Sequence, residues 1–392
     1  MKKLLALALV LAICLPVLAM GEAATKGTII VGVYEPASGA SGAGGKQETL
    51  GVLYAHSLQP TVTLSDGVYD IKLVEVDNGS DPAKAPTAAQ TLVSADAAIV
   101  LGSYGSGVSM AAADIFDAAG LVAVGISCTN PGVTLGNPLY YRICYLDPFQ
   151  GTVLANFAKD EYGAKKAYTL GQLGNDYDIG LINYFTEAFK AAGGEVVGET
   201  FPEGTSDFSA YLTKAANEDA QVIFAPCSDL YAAQIVEQAA SSGVKIPLLA
   251  GDTWDISSVV EAAKGSQVSV AVSTFFDEGD TTGAAADFVT GYKAWLNANA
   301  DMKANNGGND VIAAVSALGF DGYNLALESI RKADSGERED IAGVMADVTW
   351  SGVTGMIEFD ENGDAKRDQA FIKKVDTQNA VWEFVKVQGI GQ

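Results

Sequence analysis

The residues of this chain that could bind a small molecule lie in two uncharged loops, each of which follows a short apolar run. The stretch VLGSYGSGVSM runs from a buried-strand pattern through Tyr104, Gly105 and Ser106 into an alanine-rich helical pattern. The next apolar run ends in GISCTN, which supplies Ser127 and Thr129. N–H groups in the first turn of a helix lack partners, and the helix dipole favours negative charge there. The two loops therefore predict a carboxylate-binding site, with simple helix capping as the alternative.

A second pair of polar loops carries groups that suit the other end of such a ligand. GNDYD and AGDTWD each follow an apolar run and supply Tyr177, Asp252 and Trp254. The Asp252 carboxylate could accept an ammonium group, while the two aromatic side chains offer an apolar face with a polar tip. A carboxylate site facing an acidic and aromatic site predicts an amino acid pocket.

The chain offers little for catalysis, cofactors or metals. SGASGAGGK departs from the phosphate-binding loop pattern at two positions, and the glycines of LGSYGSG do not have the spacing of a dinucleotide-binding motif. His56 is the only histidine, which excludes histidine triads and the common zinc sites. DENGDAKRD resembles a calcium loop, but Ala365 stands where glycine is required, so a β-turn is expected there. We predict no enzyme activity, no cofactor and no metal site.

Charge and the N-terminus indicate where the protein works. Asp and Glu number 48 against 24 Lys and Arg, so nucleic acid and anionic lipid surfaces are not expected partners. Residues 1–24 begin Met-Lys-Lys and continue with an apolar run, which predicts a secretory signal peptide cleaved near Ala19 or Ala23. A lipid anchor at Cys14 is not expected, because Ile13 stands where a small residue is needed. The mature protein is expected to be soluble and periplasmic or otherwise extracytoplasmic.

Apolar runs alternate with helical patterns along the chain, which indicates parallel sheets covered by helices. Eight runs are predicted to be strands, at 28–34, 70–77, 97–104, 121–127, 165–172, 194–201, 220–226 and 246–252. Helices are expected at 107–119, 148–162, 179–192, 207–217 and 229–242. The series runs twice, so we predict an α/β protein with two Rossmann-like lobes. Cys128, Cys144 and Cys227 are expected to be small buried residues.

Taken in order, these motifs resemble a known family, the type I solute-binding proteins of ABC transporters, which include the leucine/isoleucine/valine-binding proteins. The resemblance rests on VGVYEPASGASGAGG, DNGSDPAKA, LGSYGSGVSMAAADIF, SCTNPGVT, NDYDIGL, GTSDFSAYLTK, GDTWD and ALGFDGYNLALESIRKA. It implies two parallel-sheet lobes joined by a multi-strand hinge. The expected N-terminal lobe comprises 27–146 and 275–368, and the expected C-terminal lobe 147–274 and 369–392.

The resemblance also implies roles for individual residues. Ser106 matches the family serine that binds the ligand carboxylate, and Thr129 matches a second carboxylate ligand. Ser127 matches a position whose backbone contacts the ligand, and Tyr177 the tyrosine that closes over it. Asp252 lies at or beside the acidic residue that takes the ammonium, with the register open by one.

Other positions extend or depart from the family pattern. Phe275 or Phe276 lies where the family returns an aromatic residue to the pocket. Gly44 stands where leucine-type binders carry an aromatic wall, and Cys227 and Ser228 replace a tyrosine-containing segment. These departures predict a wider or more polar side-chain pocket.

The resemblance implies a monomeric binding protein that captures a small neutral amino acid, branched-chain or other, and delivers it to an ABC transporter permease. One alternative is a ligand sensor of the same fold. Others are an importer component for urea, short amides or small carboxylic acids, and an enzyme on a related α/β scaffold.

Overall fold

Two separate sheets organise the polypeptide, and helices cover both. The structure is a computed structural model that describes residues 25–280 and 282–390. The predicted signal peptide lies outside the described residues. Among those residues, no helix combines the length and apolar character that a membrane crossing requires.

The first sheet has six strands in the order β2-β3-β1-β4-β5-β6. All of its pairings are parallel except that of the edge strand β2 with β3. Its strands are β1 (Gly27–Glu35), β2 (Thr61–Leu64), β3 (Gly67–Asp77), β4 (Ile99–Leu101), β5 (Val122–Gly125) and β6 (Tyr140–Arg142). Three helices connect them: α1 (Gly42–Leu58), α2 (Ala85–Ser94) and α3 (Ser106–Ala118).

The second sheet has seven strands in the order β15-β14-β11-β10-β9-β7-β8. Its parallel strands are β7 (Lys166–Gln172), β8 (Glu195–Phe201), β9 (Val222–Phe224), β10 (Leu248–Ala250) and β11 (Val270–Thr274). The connecting helices are α4 (Asp147–Tyr162), α5 (Asp176–Ala191), α6 (Ser209–Asn217), α7 (Asp229–Ser242) and α8 (Ser257–Ala263). After β11 come α9 (Gly283–Ala298), α10 (Ala300–Asn305), α11 (Ala314–Ala333), α12 (Arg338–Val344), β12 (Trp350–Gly352), β13 (Gly355–Ile357), β14 (Ala370–Asp376) and β15 (Val381–Gln388).

The central strands are buried on both faces. Every residue of β4, β5, β9 and β10 is buried. Strands covered on both sides read as continuous apolar runs rather than alternating ones, which is why the sequence revealed them. The predicted α/β fold with two parallel-sheet lobes is confirmed by this topology.

Residues after 280 return to the first sheet before completing the second. The Ser316 hydroxyl of α11 donates to the Gln47 carbonyl of α1 (2.8 Å), and the Tyr323 hydroxyl donates to the Gln59 carbonyl (2.6 Å). Further along, Asp364 forms a buried ion pair with Arg142 of β6. Strands β14 and β15 then extend the second sheet with antiparallel pairings. The chain therefore passes between the two lobes three times, and the exact lobe boundaries stay predictions.

Candidate functional site

The candidate site is a cavity of about 440 Å³ between the two lobes. Loops that follow β1, β4 and β5 line it from the first lobe, and loops that follow β7, β9 and β10 line it from the second. The strand order reverses at β1 and β4, and ligands of open α/β sheets bind at such a point. The volume suits a small ligand.

The Gly-Ser loop forms one wall of this cavity, where Tyr104, Gly105 and Ser106 all line it. Gly105 is the N-cap of α3 and Ser106 is its first helical residue, so the Ser106 N–H has no partner within the helix. The Ser106 hydroxyl oxygen accepts the backbone N–H of Asn130 at 3.3 Å. Its hydrogen therefore remains available for a carboxylate.

Asp252 lies on the wall of the second lobe and is held by two donors. The Gln150 amide donates to Asp252 Oδ1 at 2.8 Å, and the Tyr177 hydroxyl donates to the same oxygen at 3.1 Å. A Cβ at Gly251 would lie 2.3 Å from the Tyr177 hydroxyl, so only glycine permits this approach. Because both side chains engage Oδ1, Oδ2 is the oxygen that can accept from a ligand.

Burial makes the acidic groups around the cavity costly to ionise. Burial raises the pKa of Asp252 to about 6, although the Gln150 hydrogen bond opposes the shift. Burial also raises the pKa of Asp147 to about 7, and the Asp252 charge adds to that rise. The ammonium group of a ligand would stabilise the ionised form of such a carboxyl group and lower its pKa.

Ser127 and Thr129 occupy the second predicted loop in different ways. Ser127 lines the cavity, but its hydroxyl donates to the buried Glu48 carboxylate. Its backbone is therefore the part that a ligand can use. Thr129 is fully buried, and its carbonyl accepts the N–H of Asp147 at 3.0 Å. It lies behind the cavity surface rather than among the lining residues.

The two lobes touch each other around the cavity, so the cleft is closed. The Gly44 N–H of α1 donates to Asp229 Oδ2 of α7 at 2.7 Å. Next to it, the Leu230 N–H donates to the Ala40 carbonyl at 3.2 Å. On another side, the Asn130 amide donates to the Asp176 carbonyl at 3.1 Å. Each of these contacts joins one lobe to the other.

Tyr104 fills the space that Gly44 leaves. A Cβ at Gly44 would lie 2.3 Å from Tyr104 Cζ, and the Tyr104 hydroxyl donates to the Thr253 carbonyl at 3.4 Å. An aromatic ring from another loop therefore takes the position where Gly44 has no side chain, and a wider pocket stays a prediction. Ser228 lines the cavity, and a more polar pocket stays a prediction.

Three predicted aromatic contacts are absent from the cavity lining. Trp254 has no exposed surface, packs in the core of the second lobe and donates its indole N–H to the Cys227 carbonyl at 3.1 Å. In the 3₁₀ turn over Asp252–Trp254, Asp252 and Thr253 reach the cavity and Trp254 does not. Phe275 and Phe276 line a different cavity, where the Phe275 ring packs 4.3 Å from that of Tyr145. The structure thus places these three side chains outside the lining of the candidate site.

Sequence reasoning missed four buried polar residues that organise the site: Glu35, Glu48, Gln150 and Asp229. A signal for the first two was present. Glu35 ends a strand whose last five residues are all buried, and Glu48 lies on the buried face of α1 that also carries Val52 and Ala55. A carboxyl group in such a setting points to a hydrogen-bonded role. The three described cysteines are buried, as expected, and none of them forms a disulfide with another described cysteine.

Comparison with known proteins gives this architecture a family. The family model described as "Periplasmic binding protein" matches residues 28–380. An "Amino acid binding protein" of Pseudomonas aeruginosa is 27% identical over 353 residues, which cover 86% of this chain and 87% of that protein.

Solved structures agree in fold. The crystal structure of a leucine binding protein from Thermotoga maritima superposes with a TM-score of 0.81 at 30% identity, covering 92% of this chain and 99% of the other. The branched-chain amino acid transporter substrate binding protein of Streptococcus pneumoniae, in complex with isoleucine, gives a TM-score of 0.78 at 27% identity, covering 92% and 99%. All three proteins are named for binding rather than catalysis.

Proposed function

The chain belongs to the periplasmic binding protein family, a family of solute-binding proteins rather than enzymes. We propose that it captures a small neutral amino acid and delivers it to an ABC transporter permease. The proposal rests on one observation, that two polar sites face each other across one closed cavity. Ser106, at the start of α3, faces the cavity from one lobe, and Asp252 faces it from the other.

The two sites suit the two ends of a zwitterion. The Ser106 hydroxyl and N–H can donate to a carboxylate, and the N-terminus of α3 favours its charge. Asp252 Oδ2 can accept from an ammonium group, with Tyr177 beside it. A ligand that contacts both lobes favours the closed arrangement, because only that arrangement satisfies both ends.

The side-chain end of the cavity favours a compact ligand. Tyr104 closes the wall next to Gly44 and reaches across to Thr253. Ser41 and Ser228 add polar groups to the lining. We therefore infer that alanine- or threonine-sized amino acids bind more tightly than leucine or phenylalanine.

Isothermal titration calorimetry tests the proposal with L-alanine, L-threonine, L-leucine, propionate and acetamide. Tight binding of one of the amino acids, with propionate and acetamide much weaker, supports it. A thermal-shift screen gives an independent measure, since a ligand at about 100 times its Kd stabilises the folded protein by about 2.7 kcal/mol. Binding of propionate or acetamide in preference to every amino acid would contradict it and support the small-acid or amide alternative.

A further inference from the structure

Behind the cavity, two buried carboxyl groups connect the loops that carry Ser106 and Ser127. Glu35, at the end of β1, accepts the Tyr104 N–H through Oε2 at 2.7 Å. Glu48, in α1, accepts the Ser127 hydroxyl. The two glutamates are almost completely buried, and Oε1 of each has no hydrogen-bond partner among the described residues. The Glu48 charge acts on Glu35 across the space between them.

A hydrogen bond between two carboxyl groups requires a proton, because two carboxylates are both acceptors. Neither glutamate forms an ion pair with any of the described residues. The two ion pairs that are buried on both sides, among the described residues, are Arg142–Asp364 and Lys373–Asp255. Ionisation of both glutamates at once is therefore unfavourable in free energy.

We propose that Glu35 and Glu48 are positioning residues for the binding site, because one shared proton joins their side chains and so fixes the Gly-Ser loop and the Ser127 loop relative to each other. The connection runs from the Tyr104 N–H to Glu35, from the Glu35 proton to Glu48, and from the Ser127 hydroxyl to Glu48. This inference rests on the proposed function, since it concerns the loops assigned to the ligand.

The surroundings keep the proton in place at neutral pH. Burial and the neighbouring Glu48 charge hold the pKa of Glu35 well above its usual range. Burial raises the pKa of Glu48 to about 7, although its hydrogen bonds from Glu35 and Ser127 oppose the shift. The other titratable and charged groups that act on the pair are Tyr34, Tyr104, Cys128, Tyr140, Cys144 and Asp252. Arg142, which acts on the neighbouring Cys128, is paired with Asp364.

Two substitutions distinguish the effect of the shared proton from the effect of the side chain itself. Glu35→Gln keeps a donor to Glu48 and an acceptor for the Tyr104 N–H, but it has no proton to lose in the measured range. Glu35→Ala removes the connection altogether. Glu75→Gln is the control, because Glu75 is an exposed acid on β3 of the same sheet.

The experiment measures the Kd of L-alanine by calorimetry from about pH 5 to about pH 9 for these variants and the unaltered protein. At neutral pH we expect Glu35→Ala to bind about tenfold or more weakly and Glu35→Gln to match the unaltered protein. On the alkaline side, the affinity of the unaltered protein and of Glu75→Gln should fall further than that of Glu35→Gln. Deprotonation of the L-alanine amine affects all variants equally, so it cancels in the comparison.

Amide hydrogen exchange of Tyr104 in the ligand-free protein gives a second measurement that needs no ligand. We expect faster exchange in Glu35→Ala and unchanged exchange in Glu35→Gln. The inference is overturned if Glu35→Ala changes neither exchange nor affinity, or if Glu35→Gln retains the full alkaline loss. If the unaltered protein binds L-alanine at no pH, the assigned ligand is wrong, and Tyr104 exchange still decides whether the pair holds the loop.

Discussion

At the scale of single residues, the binding site depends on which atoms are already used by the protein. Ser106 and Ser127 are both serines in polar loops, yet the Ser127 hydroxyl donates to Glu48 while the Ser106 hydroxyl accepts from Asn130. Ser106 thus keeps a donor for a ligand, and Ser127 offers only its backbone. Residue type alone does not distinguish the two.

Substitution of Ser106 by alanine tests its proposed donor role. We expect Ser106→Ala to weaken L-alanine binding about ten- to a hundredfold, because one charge-assisted hydrogen bond is lost while the backbone donors stay. Ser109→Ala is the matched control, since the Ser109 hydroxyl donates to the Gly105 carbonyl at 2.8 Å and Ser109 does not line the cavity. Calorimetry measures affinity and urea unfolding measures stability. A loss of stability with unchanged affinity would mean that Ser106 serves only its helix.

Asp252 should make binding depend on pH. Its raised pKa of about 6 means that it takes up a proton as the pH falls below that value, and a protonated carboxyl group cannot pair with an ammonium. The affinity for L-alanine should therefore persist above about pH 6 and fall on the acid side, with proton release on binding near pH 6. Calorimetry in two buffers of different ionisation enthalpy measures that release.

The matching variant is Asp252→Asn. The substitution should weaken the binding of L-alanine by about 2–5 kcal/mol. It should weaken the binding of propionate much less, because propionate lacks the ammonium group. It should also abolish the acid-side loss. If both probes lose affinity equally, the role of Asp252 is structural.

At the scale of elements, the start of α1 and the Gly-Ser loop shape the side-chain end of the cavity together. Gly44 has no side chain, and the Tyr104 ring from the loop after β4 packs where one would lie. The two positions are sixty residues apart in the chain, so their contact exists only in the folded molecule.

Enlarging the cavity at this wall should change which amino acid binds more tightly. Tyr104→Ala should raise the affinity for L-leucine relative to L-alanine, because the removed ring leaves space for a longer side chain. Tyr104→Phe is the control, as it keeps the ring and loses only the hydroxyl contact with Thr253. Competition calorimetry gives the ratio of the two dissociation constants. An unchanged ratio in Tyr104→Ala would exclude Tyr104 as a determinant of ligand size.

At the scale of the whole molecule, hydrogen bonds between the two lobes contribute to closure of the cleft. Asp229 of the second lobe accepts the N–H of Gly44 at the start of α1, where the helix dipole favours a negative charge. Burial raises the pKa of Asp229 to about 6, so the carboxylate is ionised at neutral pH. This contact contributes to closure whatever the ligand is.

Removal of this contact should open the molecule. We expect Asp229→Ala to increase the radius of gyration of the ligand-free protein in small-angle X-ray scattering. The affinity for L-alanine should fall about tenfold, because closure then depends more on the ligand. Glu237→Ala, at an exposed position on the same helix, is the control. A radius and affinity equal to those of the control would show that Asp229 does not govern closure.

The sequence by itself determined the alternation of strands and helices and the loops that line the cavity. Buried strands and capped helices leave local patterns, so predicted elements such as 229–242 agree with Asp229–Ser242, and Ser106, Tyr177 and Asp252 follow strands as expected. Only the tertiary structure decided which side chains reach the cavity. Trp254 turns into the core beside two residues that line the site, and Gly44 is matched by Tyr104. Glu35, Glu48 and Asp229 acquire their partners through contacts between distant segments, and such contacts depend on packing distance and burial, which no local pattern records.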